Sequence, residues 1–393
     1  MYALEKVKVT DFSAYIAGTF CGMLLADMGA EVVKVEPLTG EPFRAMAAGF
    51  MGWNRGKRSL AVDLTKDEGK EIVHKLVAAS DVVVENFRPG VTERLKIDYS
   101  SLSRVKPDIV YVSVLGHGSS GPYQDWPGFD PLLQARSGMM VAQGGLGKPP
   151  VFLRVAVNDY AGGCLGAWAA AMGLYVRRKT GKGQHLVTSL TNAAVTMQSG
   201  TCLSYPGGTY RDLGGIDTRG PSATWRMYEA KDGRWIMVAC ANEAQWRALC
   251  RVLGMRRLLR DPRFKTLDQR QANDGALLEV LSEAIKGRPA AEWLGLLDEA
   301  GVPCAPQLSV DEALYDPHFL MNELVTDHDH AEEGRLRQTG VAPKLSETPG
   351  KVMRPAPMCG QHTEAVLGEL GYTRDQIDDF LTRKVVVQWR GFK

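Results

Sequence analysis

The sequence predicts an α/β protein with a parallel sheet in its larger part. Its first third alternates strand-like and helix-like segments. A glycine- and proline-rich stretch at 204–222 then separates this part from a more helical second one. Strands that alternate with helices favour right-handed βαβ units and hence parallel pairing. With 393 residues the chain has room for two or three domains of roughly 150 residues each. Hydrophobic residues at 45% and charged residues at 23% exclude a disordered chain.

In order, Val7 to Val9 reads as a short strand, followed by a loop holding Ala17 and Gly18. A helix follows through Met23, Leu24, Leu25 and Met28, and Gly29 stops it. Glu31 to Glu36 is the next strand, rich in β-branched residues. Gly69 to Ala79 reads as helix, Asp81 to Val84 as strand, Glu93 to Leu95 as a helical turn and Ile109 to Val114 as strand. Tyr160 to Val176 carries no charge over seventeen residues. Its alanine and glycine content suits a buried helix of a soluble core better than a bilayer span. Residues 181–190 give a turn and a strand, and a further helix lies near Thr191 to Ser199. Past the 204–222 boundary, Arg226 to Ala239 resembles a hairpin turning at Lys231-Asp232-Gly233. Helices dominate from Glu243 to about Ala300, Gly301 stops them, and Val302 to Gln307 is extended.

Several function classes drop out. Lysine plus arginine (47) nearly balance aspartate plus glutamate (45), so no basic excess points to nucleic acid. The N-terminus lacks the apolar run of a secretory signal. Seven cysteines, with no C-x-x-C pair, fit reduced thiols in a cytoplasmic enzyme better than a zinc ribbon or a disulfide framework. His328 and His330 lie in DHDHAEE, which reads as a solvated loop rather than a metal site. The first βα turn is AGTFCG, without the G-x-G-x-x-G glycines, so a nicotinamide cofactor is not expected despite Glu36 at the end of the second strand. No G-x-S-x-G elbow occurs.

Asp159, in RVAVNDYAGG, is the most suggestive single residue. It immediately precedes the uncharged helix, at the N-cap position, where orphan N–H groups and the helix dipole would hold it ionised. An ionised, partly desolvated carboxylate can attack an activated acyl carbon. On residue chemistry alone, an ordinary capping aspartate is the favoured reading of this position. The basic stretch NRGKRSLAVDL (54–64) and ENFRPG (85–90) with Arg94 suggest a handle for a polyanionic small molecule at the sheet edge.

An ordered set of segments then resembles the class III coenzyme A-transferases, a family that includes formyl-CoA and carnitine CoA-transferases, with alpha-methylacyl-CoA racemase as a relative. They are VTDFSAYIAGTFCGMLLADMGAEVVKVE, NRGKRSLAVDL, DVVVENFRPG, GPYQDWPGFDPLLQARSG, NDYAGG, RKTGKGQHLVTSL, YEAKDGRW and GVPCAP, running from residue 9 to 306. The resemblance implies a Rossmann-like CoA-binding large domain at 1–205, a linker at 206–224 and a smaller α+β domain at 225–320. Residues 321–393 would form a second linker and return to the large domain. It also implies an obligate homodimer of interlocked rings.

The resemblance places the family nucleophile on Asp159, the CoA contacts on Tyr15, Val62, Asn86, Phe87, Arg94 and Leu95, and a second acid on Asp130. The implied chemistry moves CoA from an acyl-CoA donor to a carboxylic acid through an aspartyl anhydride and an aspartyl-CoA thioester. CoA thioester is then substrate, with no permanently bound cofactor, no metal and no membrane partner. Backbone N–H groups at the helix start and the 207–220 loop would stabilise the oxyanions. The alternative is a 2-methylacyl-CoA racemase or epimerase. Phe129 stands where the racemases carry histidine, which favours transfer. Pro37 replaces a family arginine, so phosphate binding there must differ, and Ile16 replaces a formyl-CoA transferase glutamine, which argues against oxalate.

Overall fold

A computed structural model describes residues 1–145, 147–207 and 217–391. The chain divides into two compact units, one of residues 1–137, 153–203 and 314–393, the other of residues 138–152 and 204–313.

In the first unit the early strands are β1 (Lys8–Asp11), β2 (Glu31–Glu36), β3 (Arg58–Val62), β4 (Val82–Glu85), β5 (Val110–Leu115) and β6 (Gln184–Ser189). They pair in the order β3-β2-β1-β4-β5-β6, and every pairing is parallel. Alternation along the strands sends side chains to two faces, and both faces are covered, as parallel sheets require. On one face Val9, Val32, Val84 and Val112 pack with Cys21 and Leu25 of the Ala17–Asp27 helix and Ala170 of the Val157–Thr180 helix. On the other face Val33, Val83 and Tyr111 meet Ile72, Val77 and Leu102.

The 54–64 stretch departs from the expectation of a phosphate-binding loop. Arg58–Val62 is strand β3, and the cations around it have internal partners. Arg55 donates two hydrogen bonds to Asp27, at 3.1 and 2.8 Å. Lys57 donates at 2.7 Å to Asp11, and Arg58 bridges Glu31 and Glu369. Ala17 and Gly18 open the first helix rather than sitting in a loop.

The uncharged run lies inside the 24-residue Val157–Thr180 helix, which is buried on one face only. Small residues make that face: a Cβ on Gly166 would come within 2.9 Å of Val114, and one on Gly173 within 2.7 Å of Val110. The opposite face leaves Trp168 64% exposed, with Met172 and Tyr175 beside it. The expectation of a buried helix therefore holds for half its circumference. No helix among the described residues is long and apolar enough to cross a membrane.

The second unit holds the antiparallel sheet β7 (Trp225–Glu229), β8 (Trp235–Ala239) and β9 (Cys304–Pro306). Helices Glu243–Val252, Asp274–Ile285 and Ala290–Glu299 cover it through Trp246, Leu249, Leu281 and Trp293. Returning to the first unit, the chain forms the hairpin β10 (Val325–His330) and β11 (Gly334–Thr339). DHDHAEE is thus mostly strand rather than loop: His328 pairs with Leu336 across the hairpin, and Arg337 holds Asp327 at 2.8 Å. Finally β12 (Val386–Val387) pairs antiparallel with β3 and closes that edge of the seven-stranded sheet.

Candidate active site

In an open parallel sheet the strand C-termini and the helix N-termini that follow them leave a crevice where ligands bind. Here it is a cavity of about 740 Å³ lined from the ends of β1 to β5, from the loops beyond them and from Asp159 and Leu190. Tyr15, Val62, Asn86, Phe87 and Leu95 line it together with Asp159. The fold therefore gathers six of the eight residues singled out in the sequence. Arg94 is not part of the wall, Arg88 is the one cation among the described residues that lines it, and Asp130 bonds the Asn158 N–H next to Asp159.

A tight backbone crossing delivers Asp130. Gly116, just past β5, and Gly128 touch so closely that a Cβ on Gly116 would lie 2.6 Å from the Gly128 Cα. That contact seats the 121–129 segment on the sheet edge and starts the Asp130–Arg136 helix there. Buried Gln134 then fixes the approach to Asp159. Its carboxamide accepts from the Leu153 N–H at 3.0 Å, donates to the Leu153 carbonyl at 3.0 Å, and donates to Asp130.

Asp159 is not the N-cap. Ala156 holds that position without a side-chain bond, and Asp159 is the third helical residue. Asp130 does the capping, its Oδ2 accepting from the Asn158 N–H at 2.7 Å. The Val157 N–H is bonded to the Val155 carbonyl, so two helix-start donors expected to stabilise oxyanions already have acceptors. Of the 207–220 loop, residues 208–216 lie outside the described residues.

The electrostatics also reverse the expectation of a carboxylate held ionised by the helix. Burial, reinforced by the nearby Asp130 charge, pushes the Asp159 carboxyl up to about 7. Sequence alone assigns the cap from chain position, whereas the cap comes from another helix. A carboxyl poised near neutrality and facing a cleft is the kind of group that active sites use.

The first loop is held as firmly. Tyr15 sits at φ 62°, and its N–H donates to Glu41 at 2.8 Å. The Asn86 carboxamide brackets Ala14, accepting from its N–H at 2.9 Å and donating to its carbonyl at 2.7 Å. The buried Lys34 ammonium donates to the Ser13 carbonyl at 2.7 Å. Sequence reasoning did not single out Lys34 or Glu41, because charged residues near strands usually face solvent. Tyr15 meets Phe129 and Phe43 edge to face along the wall, at 6.0 and 5.3 Å between centroids.

A cleft at the strand ends, with a half-buried carboxyl at the start of a long helix, is the arrangement of an α/β enzyme. The chain matches the family model described as CoA-transferase family III over residues 4–363, and it belongs to that family. It is a CoA-transferase. It is similar to human succinyl-CoA:glutarate CoA-transferase, 32% identical over 98% of this chain and 90% of the relative. It is also 30% identical to the (R)-2-hydroxy-4-methylpentanoate CoA-transferase of Clostridioides difficile, over 98% of this chain and 99% of that one. Among solved structures, a CAIB/BAIF family protein from Brucella suis superposes with a TM-score of 0.86 at 31% identity, covering 94% of this chain and 99% of that chain.

Proposed function

We propose that the enzyme moves CoA between an acyl-CoA donor and a carboxylic acid, with Asp159 as the nucleophile. The observation that carries this is the placement of Asp159 in the same cleft wall as Tyr15, Val62, Asn86, Phe87 and Leu95. The ionised Asp159 carboxylate attacks the donor thioester carbonyl, forms a mixed anhydride and releases CoA thiolate. The thiolate attacks the Asp159 carbonyl, giving an aspartyl-CoA thioester and freeing the donor acid. The acceptor carboxylate attacks that thioester, and the released thiolate then takes the acceptor acyl group, which regenerates Asp159. Asp130 positions the nucleophile by capping its helix. Phe129 offers no second proton-transfer group beside Asp130, which supports transfer over racemisation.

Incubation with an acyl-CoA followed by hydroxylamine or borohydride trapping tests the assignment. The modified peptide should contain Asp159, and label confined to another carboxylate such as Asp130 would move the nucleophile there.

Assembly belongs to the same reading. We propose an interlocked homodimer with the domain layout expected from the sequence. The exposed apolar face at Trp168, Met172 and Tyr175 supports it, since a second copy would cover that face. Such a dimer should survive dilution to nanomolar protein in mass photometry, and an active monomer there would exclude it.

A further inference from the structure

We infer that the acyl subsite takes an apolar monocarboxylic acyl group and discriminates against acyl groups that carry a second carboxylate. This inference rests on the transfer reading above and adds to it the class of acid.

The order of the strands polarises the cleft. Residues after β2 and β3, among them Pro37, Leu38 and Leu64, lie toward one end, and Gly116 after β5 and Leu190 after β6 lie toward the other. Asp159 belongs to the β5 end, because its helix packs on β5 through the glycine face at Gly166 and Gly173. A thioester placed for attack by Asp159 therefore carries its acyl chain at that end. The wall there is made by Ile16, Val114, Gln124, Trp126, Phe129 and Leu190, none of them charged.

A second carboxylate entering this space would leave water without gaining a cation from the described residues of this wall, which is strongly unfavourable. It would also approach Asp159 and the Asp130 charge that already raises it. Three arginines among the described residues are close enough in the chain to matter. Arg154, just before the Asp159 helix, is exposed and is not part of the cavity wall. Arg136 lies over the rings of Tyr123 and Trp126, 4.0 and 4.9 Å from their centroids, and is not part of the cavity wall. Arg88 follows β4, the neighbour of β5, and does line the cavity, but it is exposed and follows Asn86 and Phe87 in the loop assigned to CoA, so its role is settled by the variant below. An apolar chain, by contrast, gains from burying its methylenes against Ile16, Phe129 and Leu190.

Binding of unreactive ligands tests this apart from turnover. The probes are two CoA thioethers, S-(3-methylbutyl)-CoA and S-(3-carboxypropyl)-CoA, titrated calorimetrically into the full-length enzyme. The apolar thioether should bind at least about tenfold more tightly, a difference of about 1.4 kcal/mol. Equal binding, tighter binding of the carboxylated probe or binding of neither would overturn the inference. In Arg88→Met both probes should weaken by the same factor, and a loss confined to the carboxylated probe would make Arg88 a distal-carboxylate anchor instead. Neither probe has a cleavable thioester, so the ratio stands whatever the trapping experiment shows about Asp159. Conversely, transfer among dicarboxylic acids alone would leave the transfer reading intact and sink the subsite.

Discussion

Asp11 and Asp159 are two carboxyls of the same unit, both withdrawn from water, with opposite surroundings. Asp11 ends β1 and is fully buried. Burial alone would raise its carboxyl, but the charges of Lys57 and Lys34 outweigh that and hold it below the usual range. Lys57 is itself shared with the Thr19 carbonyl and Asn54, both within 2.9 Å. Among the described residues Asp159 has no cation; the one charge that acts on it there is another acid, and its carboxyl rises to about 7. One site is compensated and holds the fold, and the other is left uncompensated at the proposed nucleophile. The contrast can be tested from both sides.

The largest effect belongs to the uncompensated side. On the proposed mechanism, Asp159→Ala removes the group that carries the covalent intermediates, and among the described residues no second carboxylate of the cleft shares its position at the start of the long helix. CoA transfer should fall at least ~10³-fold, a barrier increase of about 4 kcal/mol, with CoA binding and the circular dichroism spectrum preserved. A variant that keeps more than about a tenth of wild-type turnover would assign the chemistry elsewhere.

On the compensated side, Lys57→Met leaves Asp11 buried without its main partner. Loss of one member of a buried pair costs about 3–5 kcal/mol, which denaturant unfolding would read directly. The double variant Lys57→Met/Asp11→Leu should recover part of that loss, because the stranded charge is gone. A single variant that loses less than about 1 kcal/mol would mean that compensation is not what holds β1 and β3 together.

The sequence makes the sheet legible because its strands are runs of β-branched residues flanked by helix-period segments. Glu31–Glu36 appears with the bounds expected of it. It fails at β3, where the charges in NRGKRSL hide a strand whose cations face carboxylates from β1, β2 and the C-terminal helices. Local pattern carries no information on partners so distant in the chain. The same limit governs the site. The position of Asp159 near a helix start can be read from ND-Y-A-G-G, whereas the helix is capped by Asp130, 28 residues before Asn158, through a glycine–glycine crossing. The raised carboxyl follows from that non-local packing, so position alone suggests the opposite sign.

The third prediction uses one group to give two opposite pH slopes. The folded-state carboxyl of Asp159 lies above the unfolded value of 3.8, so the native state holds the extra proton between about 4 and 7. Its protonation therefore stabilises the fold at low pH, and that contribution is lost as pH rises through 7. The full swing is on the order of 4 kcal/mol. Asp159→Asn should remove the swing, so its stability gain over wild type grows from pH 5 to pH 8 in parallel melts. Wild-type kcat/KM should do the reverse and rise through about pH 7 as the nucleophile ionises. A stability gain that is constant with pH would show that Asp159 is compensated after all.

The smallest effect separates the two causes of that raised carboxyl. Burial is the larger and the Asp130 charge the smaller. Asp130→Asn removes the charge and keeps the shape, so the midpoint of the kcat/KM profile should move down by less than about one unit. The substitution has a structural cost of its own. Asp130 accepts from both Gln134 and the Asn158 N–H, and a carboxamide offers one acceptor where the carboxylate offered two. One donor is then left facing an N–H₂ group, which should lower stability by about 1–2 kcal/mol. Because Gln134 also donates to the Leu153 carbonyl at 3.0 Å, the carboxamide oxygen should turn toward Asn158 and keep the helix capped. The midpoint shift is thus read on a helix that still presents Asp159. A fall of two units or more would make Asp130, and not burial, the reason that this carboxyl sits near neutrality.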